Sequence, residues 1–204
     1  KSLEEPPPHA LLLLTTTSEA ALLPTIRSRC IPLWLGPLGR ADVAQLLKAR
    51  GAGKDDVERA LRAAIARGSP GGALRLDMDH YLRVRESLLA VLAAGCEGRD
   101  FAGLFAQAQK LTGGEQTTLE NLLEVLYSLL QDILHLEANP NGEPLRNADR
   151  PRMLTQLARW LGVRGVMNAM AALQTVETNL RRNIPARLSL EVFALSLANE
   201  RRIS

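Results

Sequence analysis

The sequence predicts a mainly α-helical protein that opens with the closing stretch of an α/β domain. Leu and Ala are abundant while aromatic residues make up only 3% of the 204 residues, which favours helix over sheet. From Arg40 onward the apolar residues recur with the period of helices. Before that point stands a short continuous apolar run, Ala10 to Leu14, ending in Thr15-Thr16-Thr17, the pattern of a buried parallel strand with hydroxyls at its C-terminal end. With 46% hydrophobic and 23% charged residues, the chain has the composition of an ordinary globular protein and can bury a sizeable core.

The first segment, Lys1-Ser2-Leu3-Glu4-Glu5 followed by Pro6-Pro7-Pro8, reads as the tail of a helix stopped by prolines. The chain opens without a methionine and is expected to be a fragment. A buried strand at 10–14 needs sheet neighbours, so residues 1 to about 35 are expected to be the end of a larger domain whose other strands lie upstream. Ser18 is a candidate N-cap for a turn through Leu22, and Pro24 suits the first position of a short helix to Ser28. Arg29 then sits where that helix ends. Ile31 to Leu35 is strand-like, limited by Pro32 to an edge or an irregular strand, and Gly36-Pro37 closes the segment.

Residues 36 to about 79 read as a three-helix unit. Val43, Leu46 and Leu47 mark the first helix, and Val57, Leu61, Ala64 and Ile65 the second, which Gly68 ends. Ser69-Pro70 restarts the chain as N-cap and first helical residue of a short third helix carrying Leu74, Leu76 and Met78. Longer helices are expected at roughly 81–94, 99–111, 116–136, 150–161, 163–181 and 186–199. Leu119, Leu122, Leu126, Leu129, Ile133 and Leu136 keep a 3-4 spacing, widened by Leu123, Leu130 and Leu134, so this helix is buried on a broad face. It is too short for an extended coiled coil and fits a bundle. Asn139 to Pro144 marks a long polar loop.

Composition narrows the function classes. The net charge is +3 with a pI near 9.2, but arginine supplies nearly all of it, lysine occurring only at Lys1, Lys48, Lys54 and Lys110. The arginines are scattered with no aromatic residues interleaved, which argues against direct sequence-specific DNA binding. Cys30 and Cys96 are too far apart for a metal knuckle or redox pair, and His9, His80 and His135 stand singly, so no metal is assigned. The Leu11 to Leu14 run is far too short to span a membrane and no signal segment opens the chain, so a reduced, cytoplasmic setting is expected.

Several motifs fail as chemistry. Gly51-Ala52-Gly53-Lys54 ends like a phosphate-binding loop, but Asp55 follows where a Ser or Thr should hold magnesium, and the glycine spacing is wrong. A loop between two helices, with Asp55 near the next N-terminus, is the better reading. Adjacent Glu4 and Glu5 diverge by about 100° on a helix and cannot act together on one substrate. No nucleophile elbow is present, so the chain offers no self-contained active site. The remaining candidate is Arg29 in Ser28-Arg29-Cys30. Its always-charged planar fork of donors suits the charge that spreads over phosphate oxygens during phosphoryl transfer.

Lys1 to Pro7, the Leu-rich run with Thr15-Thr16, and Leu22-Leu23-Pro24-Thr25-Ile26-Arg27-Ser28-Arg29-Cys30 together resemble bacterial DNA polymerase III clamp-loader subunits, an AAA+ family, and within it the delta-prime branch. Gly68-Ser69-Pro70-Gly71-Gly72-Ala73-Leu74 extends the likeness, and the closing Asn183, Arg187, Leu188, Leu190 and Glu191 are similar to the family's last helices. The resemblance implies that 1–35 is the end of an AAA+ core, 36–79 a helical lid, and 80–204 the collar through which five subunits form a ring. It implies that Arg29 is a trans-acting arginine finger and that Thr16 stands at the sensor-1 position. Gly71 stands where ATP-hydrolysing members carry the sensor-2 arginine, with Arg75 one turn on. That departure favours a stationary delta-prime stator over a gamma/tau-type ATPase. On this reading the chain carries no cofactor of its own, and ATP and magnesium belong to the neighbouring subunit's site. The implied partners are gamma/tau and delta, with the sliding clamp and primed DNA reached through the assembled complex in the bacterial cytoplasm, and no membrane. A helical adaptor unrelated to replication, with Arg29 an ordinary surface charge, is the remaining alternative.

Overall fold

The fold was established from a computed structural model, which describes residues 7, 9–97, 119–138, 145–182, 192–193 and 196–197. The expected helix at 99–111, the start of the one at 116, the loop Asn139 to Pro144, the Glu4-Glu5 pair and Asn183, Arg187, Leu188, Leu190 and Glu191 lie outside the described residues. The described residues form seven α-helices and no strand, so the chain is mainly α. It divides into two compact units, Lys1–Pro37 and Leu38–Ser204.

In the first unit the two expected strands do not form. Residues 10–14 and 31–35 have no sheet partner among the described residues, and their side chains are open, with Leu11 83% and Ile31 97% exposed. An isolated apolar segment has nowhere to place its backbone N–H and C=O groups except water or a neighbouring strand, so its strand propensity goes unexpressed. Helical turns satisfy their own backbone, and those are what the unit keeps: a 3₁₀ turn Glu19–Ala21, then α1, Pro24–Arg27, opened by Pro24.

The second unit begins with α2 (Arg40–Ala49), α3 (Asp56–Ile65) and α4 (Pro70–Arg75) around a small core of Val43, Leu47, Ala63 and Ala73. Each boundary is chemically specified. Gly51, at φ 65°, lets its own N–H reach Lys48 O (3.1 Å) and the Ala52 N–H reach Leu47 O (2.9 Å), the paired bonds of a glycine helix C-cap. Asp55 Oδ1 accepts from Glu58 N at 2.7 Å, and Glu58 reaches back to Lys54 N at 3.2 Å, a capping box shifted by one residue. The Gly51–Lys54 stretch is therefore a helix connection, as its poor match to a phosphate loop predicts. Ser69 Oγ accepts from Gly72 N at 3.2 Å with Pro70 at the first helical position, again as expected. The third helix is shorter than predicted. It ends at Arg75, and Met78 instead opens the next helix and is buried there.

That next helix, α5 (Met78–Glu97), is capped by Asp77, whose Oδ1 accepts from His80 N at 2.9 Å. It packs with α6 (Leu119–Ala138) and α7 (Pro151–Arg181) around one apolar core. Leu122, Leu126, Leu129 and Ile133 of the predicted stripe are buried, with Leu123, Leu130 and Val125 beside them, which confirms a broad buried face. The two helices expected at 150–161 and 163–181 are one element broken at Gly162, whose φ of 59° and ψ of 176° are accessible in practice only to glycine. Residues 192–193 and 196–197 are helical, and Phe193 and Leu197 reach the same core.

One buried polar cluster sets how α7 begins, and the sequence reading missed it. Asp132 projects from the apolar face of α6 and accepts from Arg146 N (3.0 Å), Asn147 N (2.8 Å) and Asn147 Nδ2 (2.8 Å). Asn147 Oδ1 in turn accepts from Tyr81 Oη at 2.9 Å. Arg85 of α5, 1% exposed, grips Asp149 with two nitrogens at 2.8 and 2.6 Å. Burial pulls the Arg85 pKa down, yet Asp149 and Glu86 outweigh it and hold the guanidinium above its ordinary value. Buried charge survives here because every oxygen of Asp132 and Asp149 is given a donor.

Candidate functional site

The Arg29 site is built by α1. Pro24 presets the first turn, Ser28 is the C-cap, and Arg29 follows immediately, so its side chain emerges at the carbonyl end of the helix. Arg29 Nη1 donates to Thr25 O at 2.7 Å, and Ser28 Oγ donates to the same carbonyl at 3.3 Å. A cation at this end is favoured by the helix dipole and by the carbonyls left without intrahelical partners. Arg29 is exposed and Cys30 beside it is half-buried and free. The Arg29 side chain is thus tied back to its own helix at Thr25 O while the residue as a whole is exposed.

Thr16 belongs to the same unit but is occupied locally. Its Oγ1 donates to Ser18 O at 3.0 Å and accepts from Ser18 N at 3.2 Å. These bonds close a tight turn after the leucine run. Ser18, expected to cap the following turn, makes no side-chain cap bond; its backbone N–H and C=O are instead both engaged by Thr16 Oγ1. Arg29 and Thr16 therefore engage different backbone groups, Thr25 and Ser18 respectively.

Gly71 lies in the second unit, in the first turn of α4. A Cβ placed on it would stand 3.4 Å from Arg75 Nη1, so the Arg75 guanidinium lies over the position that the missing side chain would occupy. Arg62 ties α3 to α4, donating through Nη1 to Ala73 O (3.2 Å) and Leu76 O (2.7 Å) while its Nε meets Glu58 Oε1 at 2.7 Å. That bond is the main reason the Glu58 carboxyl titrates below its ordinary value.

Among the described residues, no group of three or more His, Cys, Asp or Glu is placed to hold a metal ion, and no helix is long and apolar enough to cross a membrane. His9 is exposed, and His80 and His135 are half-buried on α5 and α6.

Comparison with known proteins bears on the first unit. The family model described as DNA polymerase III, delta subunit, matches residues 1–39. That match contains Thr16, α1 and Arg29, and it supports a relationship to the DNA polymerase III clamp-loader family. None of the curated proteins compared matches the chain.

Proposed function

We propose that the chain is a delta-prime-like stator of the DNA polymerase III clamp loader, a subunit that supplies an arginine finger to its neighbour and joins the ring through its C-terminal helices. The observation that carries this reading is that the segment matching the family, residues 1–39, contains α1 and, just after its C-cap Ser28, the exposed Arg29. A guanidinium offered there stabilises charge on the γ-phosphate oxygens of ATP bound with magnesium in the adjacent subunit. Residues 36–79 serve as the lid and 80–204 as the collar, which fits the two separate apolar cores of the second unit. Gly71 removes the lid arginine that a hydrolysing subunit uses on its own nucleotide, as a stator permits.

The test is ATP turnover by a loader reconstituted with the full-length protein carrying Arg29→Ala. Turnover at the neighbouring site is expected to fall by about 10³-fold with assembly intact. Undiminished turnover contradicts the finger.

A gamma/tau-type ATPase of the same complex is favoured by one observation, the Arg75 guanidinium lying over Gly71, which keeps a cation near the vacated position. The full-length protein alone distinguishes the two: a stator shows no hydrolysis, whereas an ATPase hydrolyses ATP and loses that activity on Arg75→Ala.

A further inference from the structure

The first arm of α7 carries a charged face that none of the preceding roles uses. Arg152, Thr155, Gln156, Arg159 and Trp160 recur at i, i+3, i+4, i+7 and i+8 from Arg152, so they share one side of the helix. With Pro151 they line an open, shallow surface groove of about 560 Å³. Arg152, Gln156 and Arg159 are exposed, and Trp160 is 42% exposed although it is among the bulkiest apolar side chains of the chain. From Arg150 to Val176 the sequence has arginines at 150, 152, 159 and 164 and no Asp or Glu. Arg150 is paired with Glu86 at 2.9 Å, but Arg152 and Arg159 have no acidic partner among the described residues. The cations are therefore available to an outside anion.

We infer that this groove binds single-stranded nucleic acid, independently of sequence, with Arg152 and Arg159 on backbone phosphates and Trp160 stacking on a base. The two arginines stand seven residues apart, roughly 10 Å along the axis, a separation that addresses a chain of anions rather than one. A flat indole beside two guanidinium groups is the combination that grips phosphate and base face together. The lining favours nucleic acid over an acidic peptide, since apart from Trp160 and Pro151 it offers no apolar side chain in which a peptide anchor could sit. The expectation of scattered arginines with no aromatic residue interleaved does not hold here: Trp160 directly follows Arg159, and the helix brings Arg152 and Arg159 to one face with it. This inference does not depend on the role of Arg29.

The experiment is fluorescence anisotropy of a labelled 30-mer of deoxythymidine with the full-length protein over a series of salt concentrations. Trp160→Ala is expected to weaken binding about ten-fold or more, and Trp160→Phe to retain most of it, because a ring face remains. Arg152→Ala/Arg159→Ala is expected to weaken binding and to lower the slope of log affinity against log salt by about 1.4, the loss of two phosphate contacts to a single strand. The control Lys48→Ala/Arg50→Ala removes the same charge from exposed positions on and just after α2 and should change affinity by less than about two-fold. Absence of binding by the unaltered protein overturns the inference, as does an equal loss in the control. Displacement of the oligonucleotide by poly-glutamate at equal charge concentration also overturns it and identifies an acidic-peptide surface instead.

Discussion

Residues 1–37 and the helices that follow contain the same kinds of apolar residue and treat them in opposite ways. In the first unit Leu11, Leu13, Ile31, Leu33, Trp34 and Leu35 are all largely exposed, while in the second Leu88, Leu92, Leu126, Leu129 and Ile133 are almost completely buried. The difference lies in what the backbone needs. A helix closes its own hydrogen bonds and has only to find an apolar neighbour, whereas a strand needs a second strand before burial can begin. The consequence for function is a division of evidence: the family match covers residues 1–39, where no described residue of the first unit is buried, whereas both apolar cores lie in the second unit.

Hydrogen exchange tests that contrast through its largest expected effect. Amides of α5 and α6 should exchange at least ~10³-fold more slowly than those of residues 10–17, because their opening requires breaching the main core. Equal protection in both segments would remove the distinction between the units.

Within the second unit, the polar cluster at the start of α7 should carry the next largest effect. Asp149→Ala strands the buried Arg85 charge and should cost about 3 kcal/mol in a denaturant titration, the low end for a broken buried pair, because Asp149 is one-third exposed and Glu86 still reaches Arg85. A cost near zero would mean that the 145–150 segment is held by apolar contacts alone. Gly162→Ala should destabilise by about 1–3 kcal/mol through backbone strain alone, since a Cβ there meets nothing within 4 Å. An unchanged midpoint would show that the break between the two arms relaxes freely.

How much of this was legible in the sequence depends on which physical rule governed each element. The caps at Asp55 and Ser69, the prolines at 24 and 70 and the leucine stripe of α6 rest on local chemistry or fixed periodicity, and the structure has them where expected. The break between 161 and 163 was readable because glycine sits where the helical pattern resets. The strands at 10–14 and 31–35 were not, since their formation depends on partners that local sequence does not describe. Asp132 and Arg85 were passed over as ordinary polar residues. The available signal was their position within apolar faces, Asp132 between Leu130 and Ile133 and Arg85 beside Val84, where a charged side chain implies a buried partner. Of the candidate site residues, Arg29 was expected at the end of its short helix and is found there. Thr16, expected at the end of a strand in the sensor-1 position, instead bonds Ser18 in a turn.

The smallest effect expected is at Glu58. Arg62 holds its carboxyl below the ordinary value of 4.5, so Glu58 contributes its full stabilisation above that pH and loses it as pH falls through the lower folded value. Comparing acid unfolding of the protein with its Glu58→Gln variant should show a stability gap that is constant near neutrality and narrows below about pH 4. A gap that does not change with pH would place the stabilisation in packing rather than charge.

The finger assignment is tested most directly by pairing Arg29→Ala with Arg27→Ala in the reconstituted loader, because both arginines are exposed, lie two residues apart and carry the same charge. If Arg29 acts on the neighbour's γ-phosphate, its loss lowers ATP turnover by about 10³-fold while nucleotide affinity and assembly hold, and loss of Arg27 changes turnover by no more than a few-fold. Equal effects from the two substitutions, or full turnover without Arg29, would contradict it.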